Sequence, residues 1–222
     1  MEMTDGKLIV IEGSDNVGRS LHCDLLAERL GAHGIATKRI GLARSKLMGD
    51  MIKSQGGDFH IMDTRTRSLI YATDLVDQSI HDIVPMLEAG FVVIADRYTL
   101  TPEIREAVRG GDVDWIKSLY STVPKPDVTL ILHAGPRRLL NRIMLSESIG
   151  KLRKFECGTD LYPGESITTS FLNYQRVLRK KFLKSAEEND WLAIPTRDDL
   201  WAVHENIWNE VSAILGEMLL EI

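Results

Sequence analysis

Leu8-Ile-Val-Ile11-Glu-Gly13-Ser14-Asp15-Asn16-Val17-Gly18-Arg19-Ser20 is the stretch that decides how this chain folds. Four apolar residues run into a segment with glycine at 13 and 18, followed by a cation and a hydroxyl. Beyond it Leu21, Leu25, Leu26 and Leu30 recur at helical spacing. Strand, glycine turn and helix in that order make a phosphate-binding loop. Glycine at each end lets the backbone take positive φ and approach an anion closely. Successive N–H groups, and the positive end of the helix that opens near Ser20, then face that anion. Residues 13–20 are therefore expected to cradle the phosphates of a ligand, with the Ser20 hydroxyl serving Mg²⁺. One letter departs from the usual pattern: Arg19 stands where lysine is expected. Guanidinium is planar and prefers bidentate contacts, whereas an ammonium is a compact charge that can follow a moving phosphoryl group.

The chain has 222 residues and a net charge of −5, which predicts a single domain over 1–222. It also argues against a dedicated nucleic-acid binder, which would present a basic face. Cys23 and Cys157 are in no metal-binding spacing; Cys23 reads as a buried helix residue, Cys157 as a loop thiol, and a disulfide is not expected in a reducing compartment. The first strand begins within seven residues and no apolar run approaches 18 residues, so neither a leader nor a membrane span is expected and the location is read as cytoplasmic.

Strand-like runs fall at 7–12, 36–40, 91–95, 127–133 and 191–195, and their continuous apolarity marks strands covered on both faces. Helical patterns fall between them at 64–87, 112–120, 136–145, 167–189 and 199–220. Alternation of the two predicts a three-layer α/β domain with a parallel sheet. The segment 147–165 is different, with Gly150, Gly158, Pro163 and Gly164 beside Lys151, Arg153 and Lys154. A loop of that length is uncommon unless it has a task, and a lid over the phosphate site is expected; a plain solvated loop is the alternative.

Asp96-Arg97-Tyr98 follows the run Phe91-Val-Val-Ile-Ala95. Ligands of open α/β sheets bind beyond the carboxyl ends of the strands. If the first and third strands are neighbours, Asp96 lies beside the phosphate loop, where it would hold Mg²⁺, and Arg97 would clamp an acceptor phosphate.

With these residues in place, the chain resembles the thymidylate kinase family over nearly its whole length. The resemblance rests on Ile11-Glu-Gly13 before the loop, on Asp96-Arg97-Tyr98, and on Trp115-Ile116 followed by Pro126-Asp127-Val-Thr-Leu-Ile-Leu132, together with the basic lid. It implies a P-loop NTPase fold with a five-stranded parallel sheet, a lid, a homodimer, and Mg²⁺-dependent transfer of the ATP γ-phosphoryl group to a nucleoside monophosphate, thymidine monophosphate first. Asp15 matches the acidic residue that the family places near the sugar hydroxyl, and Lys154 lies near its lid arginine. By the same resemblance Arg19, Asp96, Arg97, Arg153 and Lys154 are the catalytic set, and Asp15, Arg44, Tyr71, Leu75, Gln78 and Arg97 the acceptor set.

The chain also departs from the family. Tyr71 stands for the aromatic residue that stacks on thymine, but Leu75 replaces the arginine that reads the base edge. Gln78 keeps the amide, and spacings of four and three put all three on one helical face. The family's arginine loop after the second strand is here Gly41-Leu-Ala-Arg44-Ser-Lys46, and its Tyr-Gln pair is Arg105-Glu106. Leu75 predicts weak discrimination for thymine. Two other readings stay open: a nucleotide-binding protein with little or no turnover, serving regulation or assembly, and a kinase for a nucleoside or another alcohol.

Overall fold

The computed structural model describes residues 6–54, 59–145, 154–196 and 199–219. Its elements are β1 (Lys7–Gly13), α1 (Arg19–Ala32), β2 (Thr37–Gly41), α2 (Gly49–Ser54), α3 (Thr64–Gln78), a π-helical turn (Ser79–Ile83), α4 (Val84–Glu88), β3 (Val92–Asp96), α5 (Leu100–Val108) and α6 (Val113–Leu119). They continue with β4 (Val128–His133), α7 (Pro136–Leu145), α8 (Lys154–Cys157), α9 (Ile167–Glu188), β5 (Ala193–Pro195), α10 (Leu200–Leu215) and a 3₁₀ turn (Gly216–Leu219). The strands form one parallel sheet in the order β2-β3-β1-β4-β5.

The runs of apolar residues in β1, β3 and β4 are explained by a core on both sides, whereas the edge strand β2 carries half-buried Thr37, Lys38 and Arg39 in place of a continuous apolar run. Ile9, Ile11, Val92, Ile94, Leu130 and Leu132 share one cluster with Leu26 and Leu30 of α1 and Ile207 and Val211 of α10. Their strand neighbours Leu8, Val10, Val93 and Ala95 pack against Ala72 and Leu75 of α3 and Ile116 of α6. Side chains alternate faces along a strand, so covering both faces needs apolar residues at every position.

Chain order and topology bring together what the sequence separates. β1 and β3 pair in parallel with Ile11 opposite Asp96, so the turn after each strand leaves the same edge of the sheet. Gly13 is opposite Leu132 of β4. A Cβ on Gly13, whose φ is 133°, would lie 2.0 Å from the Leu132 carbonyl oxygen, so no other residue can leave β1 here.

The expected helix over 64–87 is interrupted by the π turn. Pro85 has no N–H to give and its ring crowds the carbonyl one turn back; the widened turn at Ser79–Ile83 falls just before it. One further expectation is corrected. Cys157 is no loop thiol: it is fully buried in the α1/α10 cluster with Cys23, both unbonded. Burial pushes the two thiols up to about 11 and about 12. Of the expected lid, 147–153 lies outside the described residues; in the rest, Phe155, Cys157 and Gly158 are buried while Lys154, Asp160, Pro163, Gly164 and Glu165 are exposed. Phe155 is 3% exposed, and a Cβ on Gly158 would collide with the Tyr174 ring.

Candidate active site

The phosphate loop is held from behind by two arginines. Arg19 Nη1 donates to the Gly13 carbonyl at 2.7 Å and to the Ser14 carbonyl. Arg142 Nη1 donates to the Val17 carbonyl at 3.1 Å and its Nη2 to the Thr196 carbonyl at 2.5 Å. In a trans peptide the carbonyl and the following N–H point in opposite directions. The Gly13 and Ser14 carbonyls, drawn toward buried Arg19, therefore turn the amides of Ser14 and Asp15 the other way. Gly18, with φ 101°, begins α1 without a side-chain cap, which leaves the first helical N–H groups free for an anion. Asn16 takes a left-handed φ of 59° while Val17 is buried in the core. Arg142 was not legible as a site residue; only the fold brings α7 against this loop.

Asp96 collects the cations and hydroxyl around it. Arg19 Nε lies 3.0 Å from its Oδ1, the Ser20 hydroxyl donates to Oδ2, and Arg44 Nη2 lies 3.4 Å from Oδ2. Burial alone would raise its pKa, but Arg19, the Ser20 hydrogen bond and Arg97 outweigh it and hold the carboxyl below its ordinary value. Arg19 is thus folded beneath the loop, 8% exposed.

Next to it Arg97, at a left-handed φ of 71°, donates to Asp15 Oδ1. Arg105 Nη2 is 2.8 Å from both Asp15 oxygens. Burial opposes the charge of Asp15, yet Arg105, Arg97 and Arg19 hold its carboxyl well below the usual range. Gln175 of α9, fully buried, reaches the same carboxylate at 3.5 Å.

Beyond Arg97 and Arg105 lies a cavity of about 110 Å³ bordered by Tyr71, Phe59, Lys53 and Phe155. The Phe155 ring forms part of its border, with the guanidiniums of Arg109, Arg67 and Arg105 at 4.0, 5.2 and 5.5 Å from its centre. A buried ion pair supports the wall: Arg67 Nη2 to Glu106 Oε2 at 2.8 Å, with Arg67 also donating to the Phe59 and Met62 carbonyls.

Of the three residues expected to wall this cavity, only Tyr71 borders it. Leu75 has no exposed surface and packs into the core beneath the sheet. Gln78 uses its amide on the backbone of Gly41, donating at 2.9 Å to the carbonyl and accepting from the N–H at 3.3 Å. The shared helical face is real, but it is the face α3 lays on the sheet, and only its first turns project past the strand ends. Asp74, on that face, receives Ala43 N–H at 2.7 Å and Ser45 N–H at 2.9 Å, and so shapes the loop that carries Arg44. Lys154 opens α8 and is exposed, and among the described residues its side chain makes no hydrogen bond or ion pair. Arg153 lies outside the described residues.

The family model described as thymidylate kinase matches residues 11–207. The chain belongs to the thymidylate kinase family. A "Probable thymidylate kinase 2" of Saccharolobus solfataricus is 33% identical over 218 residues, covering 96% of this chain and 97% of that protein. A "Probable thymidylate kinase" of Thermococcus kodakarensis is 29% identical over 94% of this chain and 98% of its own length. One of Archaeoglobus fulgidus is 26% identical, over 94% and 96%. A thymidylate kinase-like fold and phosphotransferase activity follow from membership, which favours turnover over the binding-only reading. Among the described residues no helix is long and apolar enough to cross a membrane.

Proposed function

We propose that this thymidylate kinase-family protein transfers the γ-phosphoryl group of ATP to the phosphate of thymidine monophosphate. The observation that carries the proposal is the meeting of the phosphate loop with Asp96-Arg97 at the ends of paired strands β1 and β3. In-line transfer needs positioning and charge neutralisation and no covalent intermediate on the protein. The amides of residues 13–18 would hold the donor phosphates, with Arg19 supplying a fixed cation beneath them. A cavity of about 270 Å³ beside the loop, bordered by Val17, His22, Arg142 and Thr196, would take the donor's nucleoside. Arg97 would leave Asp15 for the acceptor phosphate, with Arg44 closing from the other side. Arg153 and Lys154, in a lid spanning 147–165 of a single 1–222 domain, would close over the developing charge. The nucleoside of the acceptor would lie against Tyr71 after Phe155 withdraws, since small-molecule pockets span about 300–1,000 Å³.

The Ser20 hydroxyl and the Asp96 carboxylate meet at one point and fit Mg²⁺, which takes oxygen ligands from one or two protein groups and the rest from phosphates and water. Bound there, the ion would neutralise charge on the donor phosphates. Two copies are proposed to pair: Leu69, Ile80 and Val84 form an exposed apolar row along the helix from α3 to α4. The two unbonded thiols accord with the cytoplasm.

A coupled assay with ATP, Mg²⁺ and a panel of nucleoside monophosphates tests the reading. Turnover of the thymidine nucleotide above background is expected. Tight ATP binding with no monophosphate accepted would overturn it.

A further inference from the structure

Glu12 is a buried carboxylate that the transfer reaction leaves unused, and we propose that it is a positioning residue that sets Arg97 for the acceptor. The inference rests on the reading of Arg97 as the phosphate clamp. Glu12 is the next-to-last residue of β1 and has no exposed surface. Its Oε1 accepts the Tyr98 N–H at 2.8 Å and the Thr101 N–H at 3.2 Å, and its Oε2 accepts the Thr101 hydroxyl. One strand residue earlier, the Ile11 carbonyl accepts the Arg97 N–H at 3.0 Å. The turn from β3 into α5 is thus fastened to β1 on both sides of Arg97.

That fastening answers a local need. Arg97 stands at φ 71°, where side-chain-bearing residues are uncommon and persist when their surroundings fix them. α5 begins at Leu100 with Thr99 as its cap, and Thr99 gives no side-chain cap hydrogen bond. Glu12 supplies from another element what the cap lacks: a side-chain acceptor at the helix N-terminus that takes the free N–H of Thr101. Because Glu12 immediately precedes Gly13, the last residue of β1, it also belongs to the strand that feeds the phosphate loop. It therefore ties the donor loop to the acceptor clamp through one side chain and touches neither ligand.

Glu12→Gln keeps an acceptor oxygen for the two backbone N–H groups, and Glu12→Ala removes it. Hydrogen exchange over 96–101, which needs no substrate, is expected to speed up in Glu12→Ala while 13–20 stays as in the parent. With ATP and thymidine monophosphate, Glu12→Ala is expected to lose about 100-fold in kcat/KM for the acceptor, the scale of a small misplacement at a reacting centre. ATP affinity by calorimetry should stay within about threefold, and Glu12→Gln should recover to within about tenfold of the parent. Unchanged exchange at 96–101, or equal losses in ATP affinity and acceptor kcat/KM, overturns the proposal, as does a Gln variant as impaired as Ala. If Glu12→Ala does not fold, Thr101→Val removes the hydroxyl contact alone; faster exchange at 96–101 then supports the proposal and unchanged exchange overturns it. A parent without turnover defeats the thymidine monophosphate reading and leaves the exchange result to decide Glu12.

Discussion

Arg19 is committed at three points: Nε to Asp96, and Nη1 to the carbonyls of Gly13 and Ser14. Its charge lies under the loop, where it supports the backbone as much as it attracts phosphate. Arg19→Ala is therefore expected to weaken ATP binding by about 1.5–3 kcal/mol, the scale of a hydrogen bond to a charged group. Arg19→Lys keeps the charge and should retain affinity. Calorimetry decides, and an alanine variant that binds ATP like the parent would show that the cation plays no part. Leu75 requires a different expectation from the one its helical face suggested. It packs against Leu8, Val10 and Val93 with no exposed surface, so Leu75→Arg would bury an unpaired guanidinium instead of offering it to a base. Loss of about 4 kcal/mol or more in denaturant unfolding is expected. A stable variant with altered base preference would return Leu75 to the pocket wall.

The helix from α3 through the π turn to α4 does two jobs on two faces. Inward, Tyr71 borders the acceptor cavity while Asp74 and Gln78 hold the loop after β2. Outward, Leu69, Ile80 and Val84 lie exposed at 50%, 60% and 37%, an apolar row of the kind that marks an association surface. A charge in that row should prevent pairing without touching the core. Ile80→Glu is expected to shift a dimer to a monomer in sedimentation, with the unfolding midpoint of the protomer little changed. A parent that sediments as a monomer at all concentrations would remove the dimer. α8 illustrates how an element can be too short for sequence pattern to find. Its four residues carry no period, and its position is set by Phe155 among three guanidiniums and by Cys157 in the core.

Across the whole molecule, two groups pull the pH dependence of stability in opposite directions. Burial, with His204 and Arg142 adding, lowers His22 from 6.5 to about 4; its contribution is present above 6.5 and is lost as pH falls toward 4. Burial raises Glu103 from 4.5 to about 7, with Lys117 opposing and Glu12 adding; its contribution is present below 4.5 and is lost as pH rises toward 7. Between about pH 5 and 6.5 the two slopes oppose each other, with His204, also lowered by burial, on the side of His22. Relative to the parent, His22→Gln should tilt Tm downward with rising pH there, and Glu103→Gln upward. Parallel profiles for all three would show that neither group titrates as described. Below about pH 4 the depressed Asp15 and Asp96 lose their contribution as well. What the sequence by itself determined is the part governed by local spacing and period. The loop at 13–20, the positions of the five strands and the Asp96-Arg97 turn after an apolar run all arise from residues near one another in the chain. What only the tertiary structure decided is which side chains the ends of those strands bring together. Arg105 and Gln175 on Asp15, Arg142 behind the loop and Phe155 in the cavity come from helices far apart in the chain. The face shared by Tyr71, Leu75 and Gln78 was legible, but period alone says which residues align and not what they meet. Whether a helical face lies on the sheet or projects past its edge depends on where the helix docks, and docking is set by packing between distant segments.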